Sequence, residues 1–263
     1  MPDWLAVVLL GIIEGITEFL PVSSTGHLLL VENNGWLPKQ SDLFNVGIQS
    51  GAVLAVVLVF ANRVRQFAFE WRNPATMDYL LKLGAAFGLT AVGGLLIKAL
   101  HWKLPETPLP VLLATVIGGV AIIVIEKWLR GRPVSDQITW SIAIAAGSAQ
   151  LLAGACPGTS RSGATILAIM VLGLARPAAA EFSFLLGIPT LISAGAYEAL
   201  KVLKNGGPME TPWTLVALGT VVSAITAFAA VKWLLRFVQT HTFIGFGWYR
   251  IVLGVLILLL TFR

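Results

Sequence analysis

The stretch Glu14-Gly15-Ile16-Thr17-Glu18-Phe19-Leu20-Pro21-Val22-Ser23-Ser24-Thr25-Gly26-His27 places two carboxylates, four hydroxyls, a proline and a histidine inside an apolar run over residues 4–33. Glu14 and Glu18 are four residues apart and so share one face of a helix. Two ionised carboxylates there repel, and they persist with a proton, a cation or a basic partner between them. Pro21 is expected to end that helix at about Leu20, because the residue before proline avoids the helical region. Ser23 and Ser24 then suit the cap of a second short helix. The run reads as helix, break and short helix. At membrane depth such a break is tolerated only inside protein or against a wet cavity.

The rest of the chain has the composition of a membrane protein. Of 263 residues 57% are hydrophobic and 12% charged, about half the charged share of a soluble domain, and mean hydropathy is +0.84. Apolar runs over 43–61, 79–99, 109–126, 181–200, 213–231 and 247–262 are each long enough for a crossing. The excess of basic residues, 18 against 13 acidic, lies between these runs and reads as membrane orientation rather than nucleic-acid binding. No cleavable signal peptide is expected at the start, which lacks a basic region before Glu14 and Glu18. Cys156, the single cysteine, excludes an intrachain disulfide and reads as a small apolar residue beside Pro157. Trp4, Trp36, Trp71, Trp102, Trp128 and Trp213 flank the crossings as interfacial anchors do.

A second broken stretch covers 138–175. Shifted by 136 residues, Gly11 meets Gly147, Glu14 meets Gln150, Pro21 meets Pro157 and Ser24 meets Ser160. Arg63, Arg65, Arg72, Lys127, Arg130, Arg132, Lys232 and Arg236 mark the cytoplasmic loops, whereas the loops holding Lys103 and Glu106, or Lys204 and Glu210, are mixed. Both termini then lie outside, the first hairpin enters from outside and the second from the cytoplasm. The expected fold is an all-α integral membrane protein with six transmembrane helices and two re-entrant helix hairpins in an inverted repeat. It forms a single membrane domain over 1–263, with halves of roughly 1–130 and 137–263. Inverted repeats commonly place a site at the interface of their broken helices, near the midplane.

The second break, Pro157-Gly158-Thr159-Ser160-Arg161-Ser162-Gly163-Ala164-Thr165, carries a cation and no acid. Arginine at membrane depth requires an anionic partner, and its planar fork suits phosphate. Ser160, Ser162 and Thr165 add donors, and Gly158 and Gly163 let a ligand approach the backbone. The spacing is not that of a P-loop. Arg161 alternatively neutralises Glu14 or Glu18 across the repeat. In the first motif a helix start offers free N–H groups to an anion. Ser23, Ser24, Thr25 and Gly26 surround it, with His27 one turn on. Serine, histidine and a carboxylate pair supply a nucleophile, a base and an orienting or metal-binding group. Taken singly, Glu18 also reads as a snorkelling acid, His27 as a packing residue and Ser23 as self-bonded to its backbone. Intramembrane ionisable groups are functional candidates by default. Gln49-Ser50-Gly51 reads as either site-facing or core, Glu181 as a helix-start acid, and His101 and His241 as unpartnered loop residues.

Both motifs closely resemble the signature regions of the undecaprenyl-pyrophosphate phosphatase family (BacA type), and the similarity in layout, including Glu181-Phe-Ser-Phe-Leu-Leu, extends over the whole chain. The resemblance implies hydrolysis of the C55 isoprenyl pyrophosphate to its monophosphate, recycling the carrier lipid of peptidoglycan synthesis. It also implies a site open to the outer side of the bacterial cytoplasmic membrane, and bacitracin resistance on overproduction. Carried onto this chain, it makes Glu14, Glu18, Ser24, His27 and Arg161 the catalytic set. Arg161 and the helix starts would hold pyrophosphate while Ser24 or water attacks and His27 moves the proton. The glutamates would position His27 or a divalent cation, Mg²⁺ or Ca²⁺, with Glu14 and Glu18 as its ligands. Gln150 is assigned no chemistry. The partners are the polyprenyl pyrophosphate substrate and the bilayer, with no nucleic acid, and the reading leaves room for a homodimer. The rival is a flippase or transporter of a lipid phosphate, which the inverted repeat favours and which needs no base. A channel is disfavoured because no ring of polar residues recurs.

Overall fold

The computed structural model describes residues 1–100, 107–205 and 211–261. His101, Trp102, Lys103, Glu106 and Glu210 lie outside the described residues. The first broken stretch forms α1 (Asp3–Thr17) and α2 (Ser24–Asn33), and the second forms α7 (Trp140–Ala155) and α8 (Arg161–Val171). Between and after them come α3 (Asp42–Val59), α4 (Ala61–Phe69), α5 (Pro74–Ala99), α6 (Pro108–Trp128), α9 (Arg176–Asn205), α10 (Trp213–Phe237) and α11 (Ile244–Thr261). Six of these, α3, α5, α6, α9, α10 and α11, are long and apolar enough to cross a membrane, and each overlaps one expected crossing.

Local chemistry sets the boundaries. Ser41 caps α3 by accepting from Phe44 N–H at 3.2 Å, Asn73 caps α5 ahead of Pro74, and Thr139 caps α7. Three expectations need correction. α1 ends at Thr17 with Glu18 as its C-cap, not at Leu20. Pro21 has no N–H to bond back to Thr17, so the chain tightens into a turn in which Val22 N–H reaches Leu20 C=O. The basic segment after the first crossing is itself helical, as α4. Glu181 is not a helix-start acid, because α9 begins five residues earlier and Glu181 binds Arg63 at 2.9 Å.

α10 packs along both α3 and α1, α5 along α7, α3 along α9, and α6 along α11. Thr226 on α10 donates to Val222 C=O and to Gly11 C=O on α1. Thr90 on α5 donates to Ala86 C=O and to Gly147 C=O on α7. All three residues of the first set are related to the second by the same interval of 136 positions. Gly11 and Gly147 permit the approach, since a Cβ would lie 2.7 Å from Gly219 C=O in one case and 2.6 Å from Ala86 C=O in the other. The largest core cluster joins the first break (Phe19, Leu20, Val22) to α8 and α9, with Phe19 and Phe184 edge to face at 5.2 Å. Large apolar side chains on the outer faces of α5, α6 and α11, such as Leu95, Ile117 and Val252, stay exposed, which a lipid-facing surface accommodates. Trp4, Trp36, Trp71, Trp128 and Trp213 are exposed as well.

Candidate active site

The two breaks meet. Ser162 Oγ, fully buried, donates to Leu20 C=O at 3.1 Å, and a Cβ at Gly163 would stand 3.3 Å from Pro21. Each break turns into its helix through a serine in the left-handed region, Ser23 at φ 72° and Ser160 at φ 69°, the only non-glycine residues there among the described residues. Each hydroxyl accepts from the N–H three residues on, Gly26 or Gly163, at 3.2 Å. This corrects the register of the sequence comparison. Ser160 corresponds to Ser23 rather than Ser24, because the second break holds one extra residue between its proline and its cap. Backbone held in that region is strained and tends to mark functional turns.

The reactive groups fall into a connected set and a separate pair. Arg161 Nη2 donates to Glu18 Oε1 at 3.1 Å, and Ser24 Oγ donates to Glu18 Oε2 at 2.8 Å. The guanidinium also lies over the Phe19 ring, 5.3 Å from its centre. Of the two alternatives for Arg161, the neutralising pair is present, and it selects Glu18. Glu14 is fully buried with neither carboxylate oxygen partnered. A buried carboxyl of that kind is stable only as the acid or against a cation. Among the described residues no group of three or more His, Cys, Asp or Glu side chains gathers as a metal site. Two carboxylates with an open pair of hard oxygens fit a divalent cation completed by phosphate oxygens and water, the usual manner of Mg²⁺.

His27 stands apart from the carboxylates. Nδ1 lies 2.8 Å from Ser23 C=O; a carbonyl only accepts, so Nδ1 carries the proton and Nε2 the lone pair. Nε2 lies 2.7 Å from Tyr249 Oη, and the two rings stack. No hydrogen bond joins the glutamates to His27; its ring nitrogens contact Ser23 and Tyr249. Thr25 is exposed. Thr165 Oγ donates to Arg161 C=O at 2.8 Å, so its hydroxyl and that of Ser162 serve the fold of the break. Gln150 Nε2 donates to Thr190 Oγ1 at 2.7 Å and lines, with Arg161 and Lys98, a cavity of about 470 Å³. Gln49-Ser50-Gly51 is packed: Ser50 bonds Val46 C=O and Gly51 abuts Thr220. His241 is partnered, by the Thr240 hydroxyl and the Phe237 ring. Cys156 is exposed.

Arg250 on α11 was missed in the sequence. Its side chain is 1% exposed and donates to carbonyls only: Thr159 at 2.9 Å, Gly158, Ala114 and Thr115 at 3.0 Å, and Pro21 at 3.5 Å. One cation thus fastens both breaks to α6. Gly118 makes room for it, since a Cβ there would lie 2.2 Å from Nη2. The signal was available, because an arginine inside an 18-residue apolar crossing calls for a role.

The chain is thus a helical protein with six candidate membrane spans, two broken helix pairs and an arginine–carboxylate–serine centre. Residues 7–256 match the family described as bacitracin resistance protein BacA. The chain is 49% identical to an undecaprenyl-diphosphatase of Rhizobium etli over 98% of this chain and 97% of that protein. It is 48% identical to one of Xylella fastidiosa over 98% of each, and 48% identical to one of Xanthomonas euvesicatoria over 98% and 97%. The chain belongs to the BacA family and is a multi-pass membrane protein.

Proposed function

We infer that the protein is an undecaprenyl-diphosphatase, hydrolysing the C55 pyrophosphate lipid to its monophosphate and inorganic phosphate, which recycles the carrier for peptidoglycan synthesis and confers bacitracin resistance. The observation that carries this reading is the Arg161–Glu18–Ser24 centre: an anion clamp, an acceptor and a nucleophile held in one chain of hydrogen bonds. Free of substrate, the clamp is satisfied by Glu18. An arriving terminal phosphate takes the guanidinium, and Glu18, relieved of its cation, becomes the better base for the Ser24 proton. Ser24 Oγ then attacks the terminal phosphorus and the lipid monophosphate leaves. Water cleaves the phosphoserine in a second step, served by His27 through Nε2. Glu14, with Glu18 beside it, would hold a divalent cation, which would neutralise charge on the pyrophosphate.

The inverted repeat is supported by the matched threonine contacts of α10 and α5 and by the paired serine caps. With the basic loops in the cytoplasm, both broken pairs are re-entrant and the site faces outward in the bacterial cytoplasmic membrane. The cavity from Arg161 to Lys98 runs toward the outer end of α5 and supports access from that side. The same repeat favours a lipid-phosphate flippase as the second reading.

Phosphate release from a C55 or C15 pyrophosphate by the purified protein, against Arg161→Ala, His27→Ala and Ser24→Ala, tests the proposal. Release by the wild type with near-complete loss in Arg161→Ala and Ser24→Ala is expected. Lipid movement in vesicles without phosphate release would leave only the flippase, and Ser24→Ala merely weakened would make water the nucleophile.

A further inference from the structure

We propose that Tyr249 is a positioning residue for His27, an inference that rests on the phosphatase reading. Nothing in the two motifs points to it: Tyr249 lies 222 residues from His27, in the first turns of the last crossing. Its hydroxyl is 2.7 Å from Nε2. Because Nδ1 is already committed to donating to Ser23 C=O, Nε2 can only accept, and the phenol is the donor. The rings stack at 5.6 Å with 13° between their planes. The imidazole is therefore held at both nitrogens and on one face, with its tautomer fixed so that the lone pair stands on the side away from the Ser23 cap. A histidine working on protons gains from such holding, since second partners that set tautomer and plane are part of what makes it competent, and a proton from water reaches the occupied Nε2 through the phenol, which gives its own proton to the ring as it takes the water's.

Two further observations separate this contact from ordinary packing. About half of Tyr249 is exposed, and it lines an apolar cavity of about 350 Å³ with Leu20 and Val22 of the first break. The hydroxyl has one polar partner among the described residues, the imidazole. A phenol in an apolar wall that spends its hydroxyl on a histidine one turn from the nucleophile is placed to orient that histidine.

Tyr249→Phe keeps the stack and deletes the hydroxyl. It should fold with unchanged melting in detergent, lower kcat for C15 pyrophosphate hydrolysis by about 10-fold and leave KM within about twofold, the split expected for a lost orientation rather than lost substrate binding. In the His27→Ala background, measured at raised enzyme concentration, the same change should do nothing further, because contacting residues are non-additive. Tyr249→Ala, which also removes the stack, should lose more than Tyr249→Phe. Wild-type kcat in Tyr249→Phe, a loss carried by KM, or an equal loss in the His27→Ala background would each overturn the proposal. A wild-type protein that releases no phosphate would instead sink the phosphatase reading, so the two failures are told apart.

Discussion

Ser24 and Glu18 are joined by a 2.8 Å hydrogen bond from hydroxyl to carboxylate, six residues apart across the first break. The turn from Glu18 to Ser23 makes this possible: on a continuous helix, residues six apart point to different faces, and only an interrupted one folds Ser24 back onto Glu18. Glu18→Gln keeps the shape but gives Arg161 no anion and Ser24 no charged acceptor. We expect kcat to fall by about 10²–10³-fold, in the range lost with a preorganised electrostatic partner, as read by phosphate release.

Glu14 should behave differently. Both its oxygens are free of hydrogen bonds, which suits the proposed role of holding a cation better than one of organising neighbours. Chelation with EDTA is expected to abolish wild-type turnover, and added Mg²⁺ or Ca²⁺ to restore it. Glu14→Gln should need a far higher cation concentration for half-maximal rate. Chelator-resistant wild-type activity would remove the cation from the mechanism.

Arg250 is a stability determinant. Arg250→Met would leave the carbonyls of Pro21, Gly158 and Thr159 buried without their donor, at a cost of about 3–5 kcal/mol. A large drop in detergent melting temperature is expected, with Arg250→Lys intermediate because one ammonium reaches fewer carbonyls than the fork does.

Close helix approach gives a fourth test. A Cβ at Gly51 would stand 2.2 Å from Thr220 C=O, so Gly51→Ala should destabilise by about 1–3 kcal/mol through overpacking. Gly88→Ala on α5 meets nothing within 4 Å and should be neutral or slightly stabilising in the same melting assay.

The crossings were legible because apolar runs of membrane length carry their own signal, and the breaks because Pro21 and Pro157 interrupt two of those runs. The tie between Arg161 and an acid of the first motif was legible as charge balance. What the sequence hid were contacts without a local pattern. Arg250 binds only main-chain oxygens, which every residue has, and Tyr249 is an aromatic in an apolar helix until its partner is seen. Glu126 was hidden likewise: it closed an apolar run, yet it is buried against Arg176 and the Phe243 N–H. The helical nature of 61–69 was masked by its charge.

On the proposed reading, because Arg161 already carries the Glu18 carboxylate as its counter-ion, a lipid phosphate would not meet a bare cation; it would trade places with an anion that belongs to the protein. Such a trade would moderate affinity on the way in and supply a competitor on the way out, since the glutamate would reclaim the guanidinium as soon as product loosened. An internal rival of this kind would make the site one that lets go.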